Sequence, residues 1–152
     1  MARRGRILAA IDLSPASRRA LAEAVRICKG LDRSLHVIHV IEDEVVLEMA
    51  DRDRIPVAES RQRVLANTRA ALERMLDDVD APADATLHLV IGPLISEILS
   101  GVELLSPELV LLGEDGLSEP MMLAAPLPAS HPHGRQIRFA MLGSETVANS
   151  AN

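Results

Sequence analysis

Short, nearly unbroken apolar runs alternate along the chain with longer segments whose apolar residues recur every three or four positions. The runs are Ile7–Ile11, Leu35–Ile41, Thr86–Ile91 and Leu109–Leu112. Runs this short suit strands buried on both faces, as in a parallel sheet. Between them, Leu21, Ala24, Val25, Cys28 and Leu31 share one helical face, and so do Val64, Leu65, Thr68, Leu72, Met75, Leu76 and Val79. Ile95, Ile98, Leu99, Val102 and Leu105 make a third such stripe. Ser14 can cap the helix after the first run, with Pro15 at its first position, where no N–H is needed. Gly30 is the expected stop of that helix, and Asp32–Ser34 the turn after it. Pro56 precedes the second stripe and Gly92–Pro93 the third. The segment from Glu42 to Arg54 is expected to be loose and only partly helical.

Strand followed by helix, repeated, predicts an α/β fold: an open, Rossmann-like parallel sheet of at least four strands with helices on both faces. A strand order of 3-2-1-4 would set the first and fourth runs side by side. From Leu117 onward the pattern changes. Pro120, Pro126, Pro128 and Pro132 interrupt every periodic template, so residues 117–134 are expected to lack regular structure. Ile137–Leu142 fits a short strand or a helix. The 152 residues read as a single domain whose part from 117 to 152 is an atypical Pro-rich tail.

Composition narrows the function. One Phe and no Trp or Tyr make the core aliphatic and leave nothing on which bases would stack. A net charge of −6 and a pI near 5.3 argue against binding nucleic acid or an anionic membrane. Cys28 is the single cysteine, so no internal disulfide forms, which fits a reducing compartment. No apolar stretch approaches the length of a membrane span. A cytoplasmic protein is expected.

The first run ends at Asp12, at the end of a strand where open α/β sheets bind ligands. The loop from Asp12 to Ala16 has no glycine, which disfavours a dinucleotide site, and no P-loop motif occurs. No Ser–His–acid or Cys–His set can be placed, no cysteine cluster suggests zinc, and no enzymatic residue is identified. His36 and His39 face opposite sides of a strand, and each is expected to be tucked or hydrogen-bonded. His131 and His133, among prolines, are expected to be exposed. What is left is Asp12 together with Gly113-x-x-Gly116, two glycines that let a loop present backbone N–H groups to an anion.

The runs ILAAIDLSPASRRALAEAV, LHVIHVIE, IGPLISEIL and LVLLGEDG, in that order and spacing, resemble the universal stress protein family over roughly residues 5 to 116. The resemblance implies a stress-response domain that holds ATP or AMP, with Mg²⁺ as a possible companion, and that forms a homodimer. On the matching positions, the nucleotide would lie over Ala10, Asp12, Val40, Leu112, Gly113 and Gly116. The family motif continues nine residues later with glycine and a hydroxyl residue, where this chain has Pro126 and Leu127. Gly143 and Ser144, in a segment similar to the family's loop-to-helix stretch, supply that pair only after an insertion of seventeen residues: 26 separate Gly116 from Gly143, against nine. The chain would then stop before the family's last strand, and a weaker or differently built dimer is expected. Alternatively, residues 117–152 are unrelated to the family. Glu114 and Asp115 stand where family loops carry hydroxyl or basic residues. A regulatory or interaction module of the same fold that binds no nucleotide is the competing expectation.

Overall fold

The computed structural model describes residues 4–113 with their side chains, and the backbone of 138–142 and 147–149. β1 (Arg6–Ala10), β2 (Ser34–Ile41), β3 (Thr86–Ile91) and β4 (Leu109–Gly113) fall where the apolar runs predict strands. β5 (Arg138–Leu142) and β6 (Val147–Asn149) extend the sheet to the order β3-β2-β1-β4-β5-β6. The first five strands pair in parallel and β6 runs antiparallel to β5. Ile137–Leu142, open between strand and helix on sequence, is therefore a strand over 138–142. The stretch around Gly143 does not lead into a helix at 147–149, as the family pattern implied, but into β6. The expectation for residues 117–134 lies outside the described residues.

Alternation within each central strand feeds two cores. Ile7, Ala9, Leu35, Val37 and Leu111 face α1 (Pro15–Leu31) and α3 (Val57–Asp78) and meet Leu21, Ala24, Val25, Cys28, Leu72 and Met75. Leu8, Ala10, Ile38, Val40, Val110 and Leu112 face α4 (Leu94–Leu105) and meet Ile98, Val102 and Leu105. A strand covered on both sides has few positions for a polar residue, hence the nearly unbroken runs.

Three local expectations are corrected. The segment 42–54 is not loose: Asp43–Asp53 forms a continuous helix, α2. It is joined to α3 where the buried Ser60 hydroxyl donates to the Val46 carbonyl at 2.6 Å. Gly30 does not end α1. The helix runs on to Leu31, and Asp32 takes the left-handed cap with φ 50°. Nor does Leu31 face inward, for it is 59% exposed. Leu31 is the last residue of α1, and the chain turns at Asp32 to enter β2 at Ser34.

Leu31→Gln is accordingly expected to change stability by no more than about 0.5 kcal/mol. Leu21→Ala, at a fully buried position of the same helix, should cost about 2–5 kcal/mol. Urea unfolding of the two variants measures the contrast.

Candidate functional site

The strand order turns around at β1: β2 lies on one side and β4 on the other, so the loops after β1 and β4 diverge. A crevice at the carboxyl ends of the strands is the result. It holds a cavity of about 360 Å³ whose walls include Ala10, Ile38, Val40, Leu94 and Ile98. The polar side chains on it are Asp12, His39, Glu42 and Thr68. An apolar chamber of this size with a few convergent polar groups is the usual form of a small-molecule site.

Asp12 is placed by the start of α1. Its N–H donates to the Ser17 hydroxyl at 2.9 Å, and its Oδ1 accepts the Ser14 N–H at 2.8 Å. The Ser17 N–H in turn donates to the Ser14 hydroxyl at 3.1 Å, and the Arg18 N–H to the Ser14 carbonyl at 3.1 Å. The Ser14 and Ser17 N–H groups at this helix start are thus used within the protein, and Pro15 has none to offer. Burial pushes the Asp12 carboxyl up, but hydrogen bonds from Ser14 and Ser17 and the nearby His39 outweigh it, so its pKa lies below the ordinary 3.8. A carboxyl depressed in the fold stabilises the folded state above its unfolded pKa, and that contribution is lost as pH falls through the lower folded value. The stability difference between the wild type and Asp12→Asn should therefore be present at pH 7 and close below about pH 4. Denaturant melts across that range measure it.

His39 Nδ1 lies 2.7 Å from the Ile11 carbonyl. A carbonyl can only accept, so Nδ1 carries a proton, and in the tautomer protonated there Nε2 is the acceptor. Gly113, at the end of β4, is buried against α1. A Cβ there would stand 2.5 Å from the Ser17 Oγ and 2.9 Å from the Ser17 Cα. Glycine is required at 113 by the close approach of α1, whatever the loop beyond it does.

Of the residues singled out on sequence, Ala10, Asp12, Val40 and Gly113 line this one cavity. Leu112 is not on its wall; it is buried in the core beneath α4. Gly116, Gly143, Ser144, Glu114, Asp115, Pro126 and the His131–His133 pair lie outside the described residues. Ser17, His39, Glu42 and Thr68 were not singled out for the site, although Thr68 belongs to the inward stripe of α3. Among the described residues no lysine or arginine lines the cavity, and no helix is long and apolar enough to cross a membrane.

A model described as the universal stress protein family matches residues 3–124. Universal stress protein A homolog 1 of Coxiella burnetii is 30% identical over 111 residues, which are 72% of this chain and 76% of that protein. Among solved structures, universal stress protein UspA from Lactobacillus plantarum superposes with a TM-score of 0.64 at 19% identity, covering 93% of this chain and 99% of the other. A universal stress protein in complex with cAMP superposes at 0.56 and 18% identity, covering 93% and 98%.

Proposed function

The chain belongs to the universal stress protein family, and from that premise we propose that it is a cytoplasmic, non-enzymatic regulatory domain that binds an adenine nucleotide, AMP or ATP, in the cavity beside Asp12. The observation that carries the reading is the pairing of an apolar chamber with one carboxylate held ionised at its rim. Ala10, Val40, Ile98 and Leu94 offer a surface for a purine, and His39 Nε2, an acceptor in the tautomer protonated at Nδ1, suits an exocyclic amine. Asp12 accepts from a ribose hydroxyl. The related structure carrying cAMP supports a nucleotide as the ligand class.

Phosphates are the weaker part of the match. Asp12 and Glu42 are both acidic, and no described residue of the cavity is a cation. Hard carboxylate oxygens suit Mg²⁺, which would bring positive charge to a polyphosphate there. ATP binding is therefore expected to depend on Mg²⁺ more steeply than AMP binding does.

Thermal unfolding with increasing AMP, cAMP or ATP and Mg²⁺ tests the reading: a ligand of the folded state alone raises Tm in proportion to the logarithm of its excess over Kd. A saturable rise with adenine nucleotides and none with inorganic phosphate is expected. No rise with any of them favours the second reading, an interaction module without nucleotide. That reading draws its support from Gly113, whose glycine is accounted for by Ser17 alone.

The family resemblance also implies a homodimer, and we expect one weaker than a family member with a standard last strand. Sedimentation of the full chain at micromolar concentration should show a monomer–dimer equilibrium; a tight dimer would contradict it.

A further inference from the structure

On the sheet face covered by α4, beside Ile38 of the cavity wall, two histidines meet between adjacent strands. His36 on β2 pairs in register with Thr86, and Ile38 with His88, so the two rings stand two positions apart on adjacent strands. Both share the sheet face of Ile38, Val40 and Val90, the one covered by α4. β3 is the end strand of the sheet, and both histidines are half-buried. His36 Nδ1 lies 3.0 Å from His88 Nε2. The ring planes are 23° apart and the centroids 5.3 Å apart. That separation exceeds the nitrogen gap by about one ring width, so the rings meet end-on through their nitrogens rather than by their faces. One proton bridges two nitrogens that otherwise both carry lone pairs. Among the described residues, neither ring makes a second hydrogen bond.

We propose that His36 and His88 form a two-imidazole chelate for a divalent late-transition ion, copper(II) or nickel(II), which replaces the bridging proton. Two imidazole nitrogens about 2.0–2.1 Å from one ion stand about 3 Å apart when they occupy adjacent corners at a right angle, and further apart at a tetrahedral angle. The two nitrogens already stand at about the separation that adjacent corners of a square or octahedral ion require. Imidazole is a favoured ligand of both ions, and copper(II) heads the affinity order. The lone pairs now point at each other and must converge, which takes a swing of the rings about Cβ–Cγ, a torsion with broad minima.

The surroundings of both rings favour the neutral, metal-binding form. Burial pushes His36 below its ordinary value, with His88 and the Arg6 guanidinium adding to the effect, and burial alone lowers His88. Arg6, tied to the Leu105 carbonyl at 2.8 Å, also repels a dication. Among the described residues no third histidine, cysteine or carboxylate joins the pair as a ligand. Water completes the coordination sphere, and the affinity expected is that of an open, reversible site.

Calorimetric titration of the full chain with copper(II) and nickel(II) chloride at pH 7.5 tests the proposal, with copper EPR reporting the nitrogens bound. His36→Gln and His88→Gln are compared with a His131→Ala/His133→Ala double variant, and metal-free circular dichroism verifies folding. The wild type should bind one ion per chain through two nitrogens. Either glutamine variant should lose at least about tenfold in affinity, the scale on which even an outer partner's loss weakens a metal site. The double variant should bind as the wild type does. Absence of a site, unchanged binding in a folded His36→Gln or His88→Gln protein, or a loss that follows His131 and His133 instead would overturn it. If a glutamine variant fails to fold, EPR of the His131→Ala/His133→Ala protein decides: two nitrogens support the chelate, and fewer refute it.

Discussion

Gly113→Ala is expected to lower stability by about 1–3 kcal/mol, the usual cost of forcing atoms into a packed interior. The added Cβ would stand 2.9 and 3.0 Å from the Ser17 Cα and N. Those are backbone atoms, so no side-chain rotation relieves the contact and the first turn of α1 must move. The Ser17 hydroxyl accepts the Asp12 N–H, so the displacement reaches the rim of the cavity as well. A loss of stability should therefore be accompanied by a loss of ligand affinity. Gly30→Ala is the matched control, because nothing lies within 4 Å of a Cβ there. It sits within α1, and the substitution should stabilise by about 0.5–1 kcal/mol. Chemical denaturation of the pair gives opposite signs if the close approach is what fixes glycine at 113. Equal effects would refute it.

Asp12→Ala is expected to weaken ATP binding by tenfold or more. A hydrogen bond to a charged acceptor contributes about 1.5–3 kcal/mol, and alanine leaves the ribose hydroxyl without a partner. The same substitution releases the Ser14 N–H, so Asp12→Asn, which can still accept at one oxygen, separates the loss of charge from the loss of the local turn. Glu114 and Asp115 should act in the opposite sense. A carboxylate about 6 Å from a phosphate charge costs roughly 3 kcal/mol at an effective dielectric of about 20. Replacing them by Ser and Arg should tighten ATP binding in the absence of metal, most clearly at low salt, where screening is least. A repaired loop that still binds no ATP would remove the nucleotide reading.

The strand order and the position of Asp12 were legible because each central strand is covered on both faces and announces itself as an unbroken apolar run. Asp12 stands where such a run must end and meets a Ser-Pro helix start. α2 was obscured because only Val46 and Ala50 are buried along it, too few to mark a stripe. Leu31 carries the right spacing but is the exposed last residue of α1; periodicity records angle around a helix, not where the helix ends. The Ser17–Gly113 approach and the His36–His88 contact join residues 96 and 52 positions apart, respectively (113 − 17 and 88 − 36). Only the paired register of neighbouring elements brings them together, and no local pattern encodes it. His39 and Glu42 follow the same logic: they reach the cavity because β2 lies next to β1, a consequence of topology rather than of their neighbours in sequence.

The claim at the centre of this account is that the cavity beside Asp12 takes an adenine nucleotide. Isothermal titration of the full chain with ATP, with and without Mg²⁺, measures it most directly. One site per chain, tighter with Mg²⁺ and weakened at least tenfold in Asp12→Ala, is the result predicted. No heat of binding from ATP or AMP under either condition, or binding that Asp12→Ala leaves unchanged, would contradict it.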